Sequence, residues 1–146
     1  MKSDNLLQLN NQLCFPLYAA SRMVTKLYQP LLEKLDITYP QYLILLVLWE
    51  NDELTVNEIG SKLMLETNTL TPLLKRMEVK GIVRRTRSTI DERKVIIKLE
   101  KKGVSLKQQA LCIPSSLLSG VSETFPVEKI NRLRTDLNDL LEILSK

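Results

Sequence analysis

The sequence predicts a mainly α-helical fold with one small β-ribbon, and three observations support this prediction. Apolar residues recur at helical spacing along most of the 146 residues, and capping residues, prolines and glycines mark the segment boundaries. β-branched residues cluster in two short runs, Ile82-Val83 and Val95–Ile97, with a polar, arginine-rich stretch between them. Basic residues are concentrated in the middle of the chain. Lys and Arg exceed Asp and Glu by six between Thr55 and Gly103 and trail them by two elsewhere, for a net charge of +4.

Two helices are predicted before the basic middle. The first runs from Cys14 to about Leu35, with Pro16 in its first turn, where a missing N–H breaks no hydrogen bond. We expect Pro30 to kink or interrupt this helix. The second helix is the strongly apolar stretch Tyr39–Glu50, with Pro40 in its first turn.

A short helix, a polar turn and an amphipathic helix form the middle of the chain. Thr55 and Glu58 make a capping-box pattern at the start of the short helix, TVNEIGSKL. The amphipathic helix begins about one turn before Pro72, and Gly81 is a stop signal after it. Its apolar stripe consists of Leu70, Leu73, Leu74 and Met77.

A ribbon and two closing helices complete the predicted order. The two β-branched runs pair as a ribbon with a charged tip centred on Ser88–Glu92. The closing helices are Lys101–Ser119, which Pro114 interrupts or kinks, and Val127–Leu144.

This order in the middle of the chain is the winged helix-turn-helix pattern, which suits duplex DNA. The second helix can enter the major groove, and an arginine of the ribbon can reach the neighbouring minor groove. The alternative is that the charges form only a solvated surface. The polar side chains on the helix are Thr67, Asn68, Thr69 and Thr71, and the cations available for phosphates are Lys75, Arg76, Arg84, Arg85, Arg87, Arg93 and Lys94.

Composition excludes most enzyme classes. The chain has no histidine, so Ser-His and Cys-His pairs and histidine-bearing zinc sites are absent, and two cysteines cannot form a structural zinc site. No phosphate-binding or dinucleotide-binding glycine motif occurs. We therefore predict no enzyme activity, no cofactor and no metal. With no secretory signal pattern and no membrane-spanning apolar run, the expected compartment is the cytosol, where the thiols stay reduced.

Four segments carry a family resemblance. The segment DERKVIIKLEKKG, Asp91–Gly103, is similar to the wing signature of the multiple-antibiotic-resistance regulator (MarR) family. The segments NQLCFPLY, LDITYPQYLILLVLWE and TLTPLLKRME resemble the organic hydroperoxide repressor (OhrR) branch of that family. The resemblance extends from about Leu9 to Pro114.

The resemblance implies an intertwined homodimer that binds a palindromic operator in double-stranded DNA. Residues 39–101 would be the winged helix-turn-helix region, and residues 1–38 and 102–146 the dimerisation helices of a single MarR-type domain. The apolar stripe of the last helix has no other obvious burial site, which independently favours a dimer. The reading helix would be Thr67–Met77, and the wing arginine would be Arg93, braced by Asp91.

Cys14 is the candidate redox sensor. At the predicted helix N-terminus it would face free N–H groups and the positive end of the helix dipole, which favour a reactive thiolate. The resemblance assigns Tyr28 and Tyr39 as hydrogen-bond donors to the cysteine of the partner subunit, with organic hydroperoxide as the oxidant. The alternatives are an inert buried cysteine and two tyrosines that only pack.

Cys112 is a candidate second thiol. Some members of the branch form an inter-subunit disulfide with a second cysteine, and others couple to small thiols. In the two-cysteine members that residue lies nearer the position of Ser119, so Cys112 departs from their pattern and either resolves the oxidised thiol or only packs. Two other functions remain open: a thiol peroxidase-like enzyme using both cysteines, and a regulator that responds to a small aromatic ligand.

Overall fold

The computed structural model describes residues 3–146, and side chains from residue 5 onward. Two short 3-10 helices, Ser3–Leu7 and Leu9–Asn11, precede the first α-helix. The described chain forms two compact units, one ending at Leu111 and the other comprising Cys112–Lys146. The first two residues of the predicted segment 1–38 lie outside the described part. The mainly helical prediction is confirmed.

Seven α-helices are present in the described residues. Helix α1 runs through Pro30, so the interruption allowed for at that proline does not occur. The break in the first closing helix falls at Leu111 and Cys112, just before Pro114, and separates α5 from α6. The helices are α1 Cys14–Glu33, α2 Tyr39–Glu50, α3 Val56–Leu63, α4 Thr67–Val79, α5 Lys101–Ala110, α6 Ile113–Ser119 and α7 Val127–Leu144.

The small sheet has three antiparallel strands, one more than predicted. The ribbon pairs β2, Val83–Arg87, with β3, Val95–Leu99, in the register Val83 to Leu99 and Arg87 to Val95. The added strand is β1, Leu54–Thr55, which pairs with the other edge of β3. Thr55 is therefore the end of a strand and the N-cap of α3, not the first residue of the helix.

Capping boxes fix the starts of two helices. At α3, the Thr55 hydroxyl accepts from the Glu58 N–H at 3.2 Å, and a Glu58 carboxylate oxygen accepts from the Thr55 N–H at 2.7 Å. Thr38 and Gln41 form the same arrangement at α2. The reciprocal bonds satisfy helix-end donors, so the segment boundaries are encoded locally.

The core of the first unit lies between α2, α3, α4 and the sheet. Helix α2 is buried on most sides, as its apolar sequence predicts, and its side chains meet the apolar stripe of α4. The fully buried side chains of this core include Ile44, Leu45, Leu48, Ile59, Leu70, Leu74, Met77, Ile82 and Ile97. The helix-turn-helix and the ribbon therefore share one rigid support.

Candidate nucleic-acid interface and thiol site

Helix α4 presents one apolar and one polar face. Its four predicted stripe residues are buried, and Leu70, Leu74 and Met77 are completely inaccessible. The Thr71 hydroxyl is half-buried and donates to the Thr67 carbonyl at 2.8 Å. The remaining predicted contact residues of the helix are exposed: Thr67, Asn68, Thr69, Lys75 and Arg76.

The turn between α3 and α4 is tight. Met64 has φ +55°, and the Leu65 N–H donates to the Gly60 carbonyl at 3.0 Å. A Cβ on Gly60 would lie 2.7 Å from the Leu65 carbonyl oxygen, closer than van der Waals contact allows. Gly60 thus permits the close approach that sets the angle between the two helices.

The arginines of strand β2 face opposite sides of the ribbon. Arg85 and Arg87 share one side because side chains alternate along a strand. Arg84 lies on the other side, where its Nε is 2.6 Å from the Glu100 carboxylate. We therefore leave Arg84 out of the candidate DNA interface, although the sequence had included it among the phosphate-binding cations.

The ribbon tip, which we call the wing, is held by local hydrogen bonds. The Ser88 hydroxyl accepts from the N–H groups of Ile90 and Asp91, each at 3.2 Å. One Asp91 carboxylate oxygen accepts from the Arg93 N–H at 3.1 Å and from the Arg93 Nε at 3.4 Å. The Arg93 side chain is 93% exposed, so it is oriented by Asp91 and still open to a ligand.

A groove of about 210 Å³ joins the start of α4 to the wing. Its walls include the hydroxyls of Thr67 and Thr71 and the side chains of Arg85, Arg93 and Lys94. The Arg85 Nε is buried here and has no hydrogen-bond partner among the described residues. Three cations and a hydroxyl-lined wall make a suitable seat for a DNA phosphate.

Cys14 is the first residue of α1, and its side chain is exposed. Its position at the helix start agrees with the prediction, whereas the alternative of a buried cysteine does not hold in the single chain. Apolar side chains flank it, with Leu13 67% and Phe15 45% exposed. A thiol here has helix-end N–H groups on one side and an open apolar surface on the other.

Three tyrosines form one aromatic cluster, the phenol cluster, made of Tyr28, Tyr39 and Tyr42. The ring centroids of Tyr28 and Tyr39 lie 4.9 Å apart, those of Tyr28 and Tyr42 5.7 Å, and those of Tyr39 and Tyr42 6.4 Å. Within the described part of the chain, none of the three hydroxyls makes a hydrogen bond. The half-buried Tyr28 and Tyr39 are therefore available as donors to another molecule, whereas Tyr42 is buried.

Burial raises the pKa of all three phenols in the cluster. Burial, followed by the neighbouring Tyr39 and Tyr42, raises the pKa of Tyr28 above its ordinary value of 10.0. Burial likewise raises the pKa of Tyr39, and burial together with Tyr39 raises that of Tyr42. Near neutral pH each hydroxyl therefore retains the proton that it would donate to a thiolate.

Cys14 and the phenol cluster are not brought together within one chain. Cys14 and Tyr28 are on the same helix, 14 residues apart, which corresponds to about 21 Å along the axis at 1.5 Å per residue. Tyr39 stacks beside Tyr28 and is equally remote. A contact between the thiol and these hydroxyls therefore requires a second copy of the chain.

Cys112 is exposed and precedes α6 as its N-cap residue, in the second compact unit. The sequence had placed it inside a helix. Its carbonyl accepts from the Ser116 N–H and from the Ser115 hydroxyl, both at 3.0 Å.

Sequence reasoning did not single out Tyr42 or the burial of the Arg85 guanidinium. Tyr39 and Tyr42 are three residues apart on α2, so their shared face was readable from spacing. Their contact with Tyr28 of α1 is tertiary and has no local signal. Among the described residues, no group of three or more potential ligands could hold a metal ion, and no helix is long and apolar enough to cross a membrane.

Comparison with known proteins identifies the class. A family model described as "Transcriptional regulator SarA/Rot" matches residues 26–110. The organic hydroperoxide resistance transcriptional regulator of Bacillus subtilis is 52% identical over 143 residues, covering 98% of this chain and 95% of that protein. The HTH-type transcriptional regulator MgrA of Staphylococcus aureus is 37% identical over 127 residues, covering 86% of each chain.

Solved structures of AbfR, a protein of Staphylococcus epidermidis, match over nearly the whole length. Reduced AbfR bound to DNA is 38% identical, with a TM-score of 0.74 and complete coverage of both chains. Overoxidised AbfR bound to DNA has a TM-score of 0.76 at 99% coverage of each. The disulfide form of AbfR, also 38% identical, has a TM-score of 0.62, covering 98% of this chain and 96% of that one.

The reading helix, the wing and these likenesses define a winged-helix transcriptional regulator. More specifically, the chain belongs to the MarR family and, within it, to the organic hydroperoxide regulator branch. The family assignment made from the four sequence segments is confirmed. The roles of individual residues are not tested by these comparisons and stay predictions.

Proposed function

We propose that this protein is a dimeric, redox-sensing repressor that binds a palindromic operator and releases it when organic hydroperoxide oxidises Cys14. One observation carries the proposal. An exposed thiol begins α1, and Tyr28, with Tyr39 of α2 beside it, lies about 21 Å along the same helix. Two copies of α1 crossing with opposite directions would pair each thiol with the other subunit's phenols.

The surface of residues 39–101 supports the DNA-binding part of the proposal. The exposed polar face of α4 suits the major groove, and Arg93, braced by Asp91, suits the minor groove beyond it. The groove lined by Arg85, Arg93 and Lys94 lies between the start of α4 and the wing, where the DNA backbone would pass. Lys75, Arg76 and Arg87 would add phosphate contacts.

Unpartnered apolar side chains at the two ends of the chain support the dimer. Helix α1 buries only Leu32, and helix α7 has no fully buried residue. On α7, Leu133 is 48% exposed, Leu141 42% and Leu144 71%. Covering these faces in a dimer would remove apolar area from water, which stabilises the assembly by about 25 cal/mol per Å² of area buried. Residues 1–38 and 102–146 would supply that cover in a second copy.

The proposed sensing step is a two-electron oxidation. The Cys14 thiolate attacks one oxygen of the hydroperoxide, an S–O bond forms, the O–O bond breaks, and the departing alkoxide takes a proton to become an alcohol. The product is a sulfenic acid. The partner's phenols at positions 28 and 39 would donate hydrogen bonds that stabilise the thiolate before attack.

The sulfenic acid would then condense with a second thiol to form a disulfide and water. That thiol is Cys112 of the other subunit or a small cytosolic thiol. A mixed disulfide with a small thiol would enlarge the group at the contact between subunits, and a disulfide with Cys112 would crosslink the subunits. Either change would alter the spacing of the two reading helices.

A gel shift on a palindromic operator tests the proposal directly. Wild type and Cys14→Ser are titrated onto the site before and after treatment with cumene hydroperoxide. We expect both to bind when untreated and only wild type to release the DNA. Normal release by Cys14→Ser would refute Cys14 as the sensor, and no binding by untreated wild type to any site would refute the repressor.

Mixed dimers test whether each site spans two subunits. One subunit carries Cys14→Ser, and the other carries Tyr28→Phe and Tyr39→Phe with its thiol intact. In the proposed geometry the surviving thiol meets the intact tyrosines of the other subunit, so it is oxidised at the wild-type rate. Oxidation as slow as in the double-Phe homodimer would place donors and thiol in the same chain and refute the trans arrangement.

A further inference from the structure

Tyr42 is the third member of the phenol cluster, and no role has been assigned to it above. Its side chain is 4% exposed, and its ring contacts both tyrosines that carry the proposed donor hydroxyls. On its other side it meets Trp49 edge-on, with ring centroids 6.4 Å apart and an interplanar angle of 70°. Tyr42 is thus the only described aromatic ring that contacts both of these tyrosines and Trp49.

Trp49 is itself fixed. Its Nε1 donates a hydrogen bond of 3.0 Å to the carbonyl of Gly103 in α5. Gly103 packs against the Ile82 carbonyl at the base of the ribbon so closely that no Cβ could be accommodated. An immobile Trp49 gives the Tyr42 ring a rigid support, and the Tyr42 ring then limits where the other two rings can lie.

We infer that Tyr42 is a positioning residue that holds the Tyr28 and Tyr39 hydroxyls in the geometry that activates the sensing thiol of the partner. The inference rests on the proposed function of those two tyrosines. Tyr28 lies within α1 and Tyr39 begins α2, and both are half-buried, so the chain does not fully enclose either ring. Contact with the Tyr42 ring limits how far these two rings can tilt, and an activating hydrogen bond is sensitive to displacements of about 1 Å.

The ring of Tyr42, more than its hydroxyl, carries this role, so two substitutions separate the possibilities. Tyr42→Phe keeps the ring and its three aromatic contacts. Tyr42→Leu removes the ring but retains an apolar side chain in the same place. Ile59→Ala, which removes a fully buried side chain from α3, is the control for general loss of core packing.

The first experiment measures the rate of thiol oxidation by cumene hydroperoxide across pH, in stopped flow, together with operator affinity of the reduced protein. We expect Tyr42→Leu to slow oxidation about tenfold or more and to move the midpoint of the pH–rate profile upward. Tyr42→Phe should stay within about twofold of wild type, and reduced Tyr42→Leu should keep its operator affinity. Oxidation of Tyr42→Leu at the wild-type rate, or an equal slowing in Ile59→Ala, would overturn the inference.

The second experiment does not depend on Cys14. Ultraviolet titration sums all phenols, so it is done in a Cys14→Ser, Tyr18→Phe background with Tyr42→Phe as the parent, which leaves only Tyr28 and Tyr39 to titrate. In Tyr42→Leu these phenols should ionise at lower pH than in the Tyr42→Phe parent, because water reaches them when the ring is lost. An unchanged titration would overturn the positioning role. If the titration shifts but hydroperoxide does not oxidise wild-type Cys14, the proposed function fails and the structural role of Tyr42 stands.

Discussion

Replacing Arg93 with alanine removes a highly exposed cation of the wing and should weaken operator binding in a salt-dependent way. Arg93 bonds only to Asp91 within its own turn and is 93% exposed. We therefore expect folding stability to change by less than about 0.5 kcal/mol. Any loss of affinity then reports the contact with DNA and not the fold.

The magnitude follows from counterion release. Each cation that neutralises a phosphate contributes about −0.9 to the slope of log K against log salt, and a dimer has two wings, so the slope should become shallower by about 1.8. Between 50 and 200 mM salt this corresponds to about a tenfold difference. The affinity deficit of Arg93→Ala relative to wild type should be about tenfold larger at 50 mM than at 200 mM.

Fluorescence anisotropy with a labelled operator, at four or five salt concentrations, measures this slope. Arg84→Ala is the matched control, because it removes the same charge from the same ribbon on the face where Arg84 pairs with Glu100. The salt-dependence slope of Arg84→Ala should stay within about 0.5 of the wild-type slope, because Arg84 lies on the face of the ribbon that makes no DNA contact in the proposed complex. Loss of this exposed ion pair should change folding stability by only about 0–1 kcal/mol. Equal slopes for Arg93→Ala and wild type would remove the wing from the mechanism.

Three further predictions address the fold and the second thiol. Gly60→Ala should destabilise the protein by about 1–3 kcal/mol in urea unfolding, because the added Cβ would overlap the carbonyl of the tight turn. Hydrogen bonds from the Thr55 backbone and then its side chain lower the pKa of the Glu58 carboxyl. Its contribution to stability is therefore complete above the ordinary carboxyl pKa and is lost as pH falls through the lowered value, so the cost of Glu58→Gln should be present at pH 7 and vanish in acid. On non-reducing gels, oxidised wild type should show a covalent dimer that is lost in Cys112→Ser if Cys112 resolves Cys14. A monomer carrying an added small thiol would instead assign that step to a small molecule.

Sequence alone located the elements whose signals are local. Thr55 with Glu58, Pro40 at the start of α2 and the spaced apolar stripe of α4 each act within one or two turns, and the structure confirms all three. Strand β1 was missed because two residues are too few for a periodic pattern, and its pairing with β3 is a contact across more than 40 residues. The break after α5 was assigned to the region of Pro114 and falls just before it, because Pro114 occupies the first turn of α6.

The residues of the candidate site likewise fall into those that local sequence signals predict and those that depend on tertiary contacts. The positions of Cys14 and Arg93 follow from a helix start and a ribbon tip, which are readable from sequence. The exclusion of Arg84 required the strand register and the neighbouring Glu100, and the phenol cluster required the packing of α1 against α2. A contact between two segments that are far apart in the sequence leaves no local sequence pattern, so it could not be predicted from residue spacing.

The length of α1 has a mechanical consequence for the proposed switch. Because Cys14 and Tyr28 lie about 21 Å apart on α1, the proposed two-fold dimer would contain two identical sites, each shared between subunits. In the proposed dimer, oxidation at either site would alter the contact between the two copies of α1 and so the orientation of the subunits. Reading helices that engage successive major grooves must be about 34–36 Å apart, so each lies about 17 Å from the two-fold axis. A subunit rotation of about 10° then displaces a reading helix by about 3 Å, close to the rise of one base pair. A small chemical change between subunits is therefore sufficient to misalign both DNA contacts at once, without any unfolding of the winged domains.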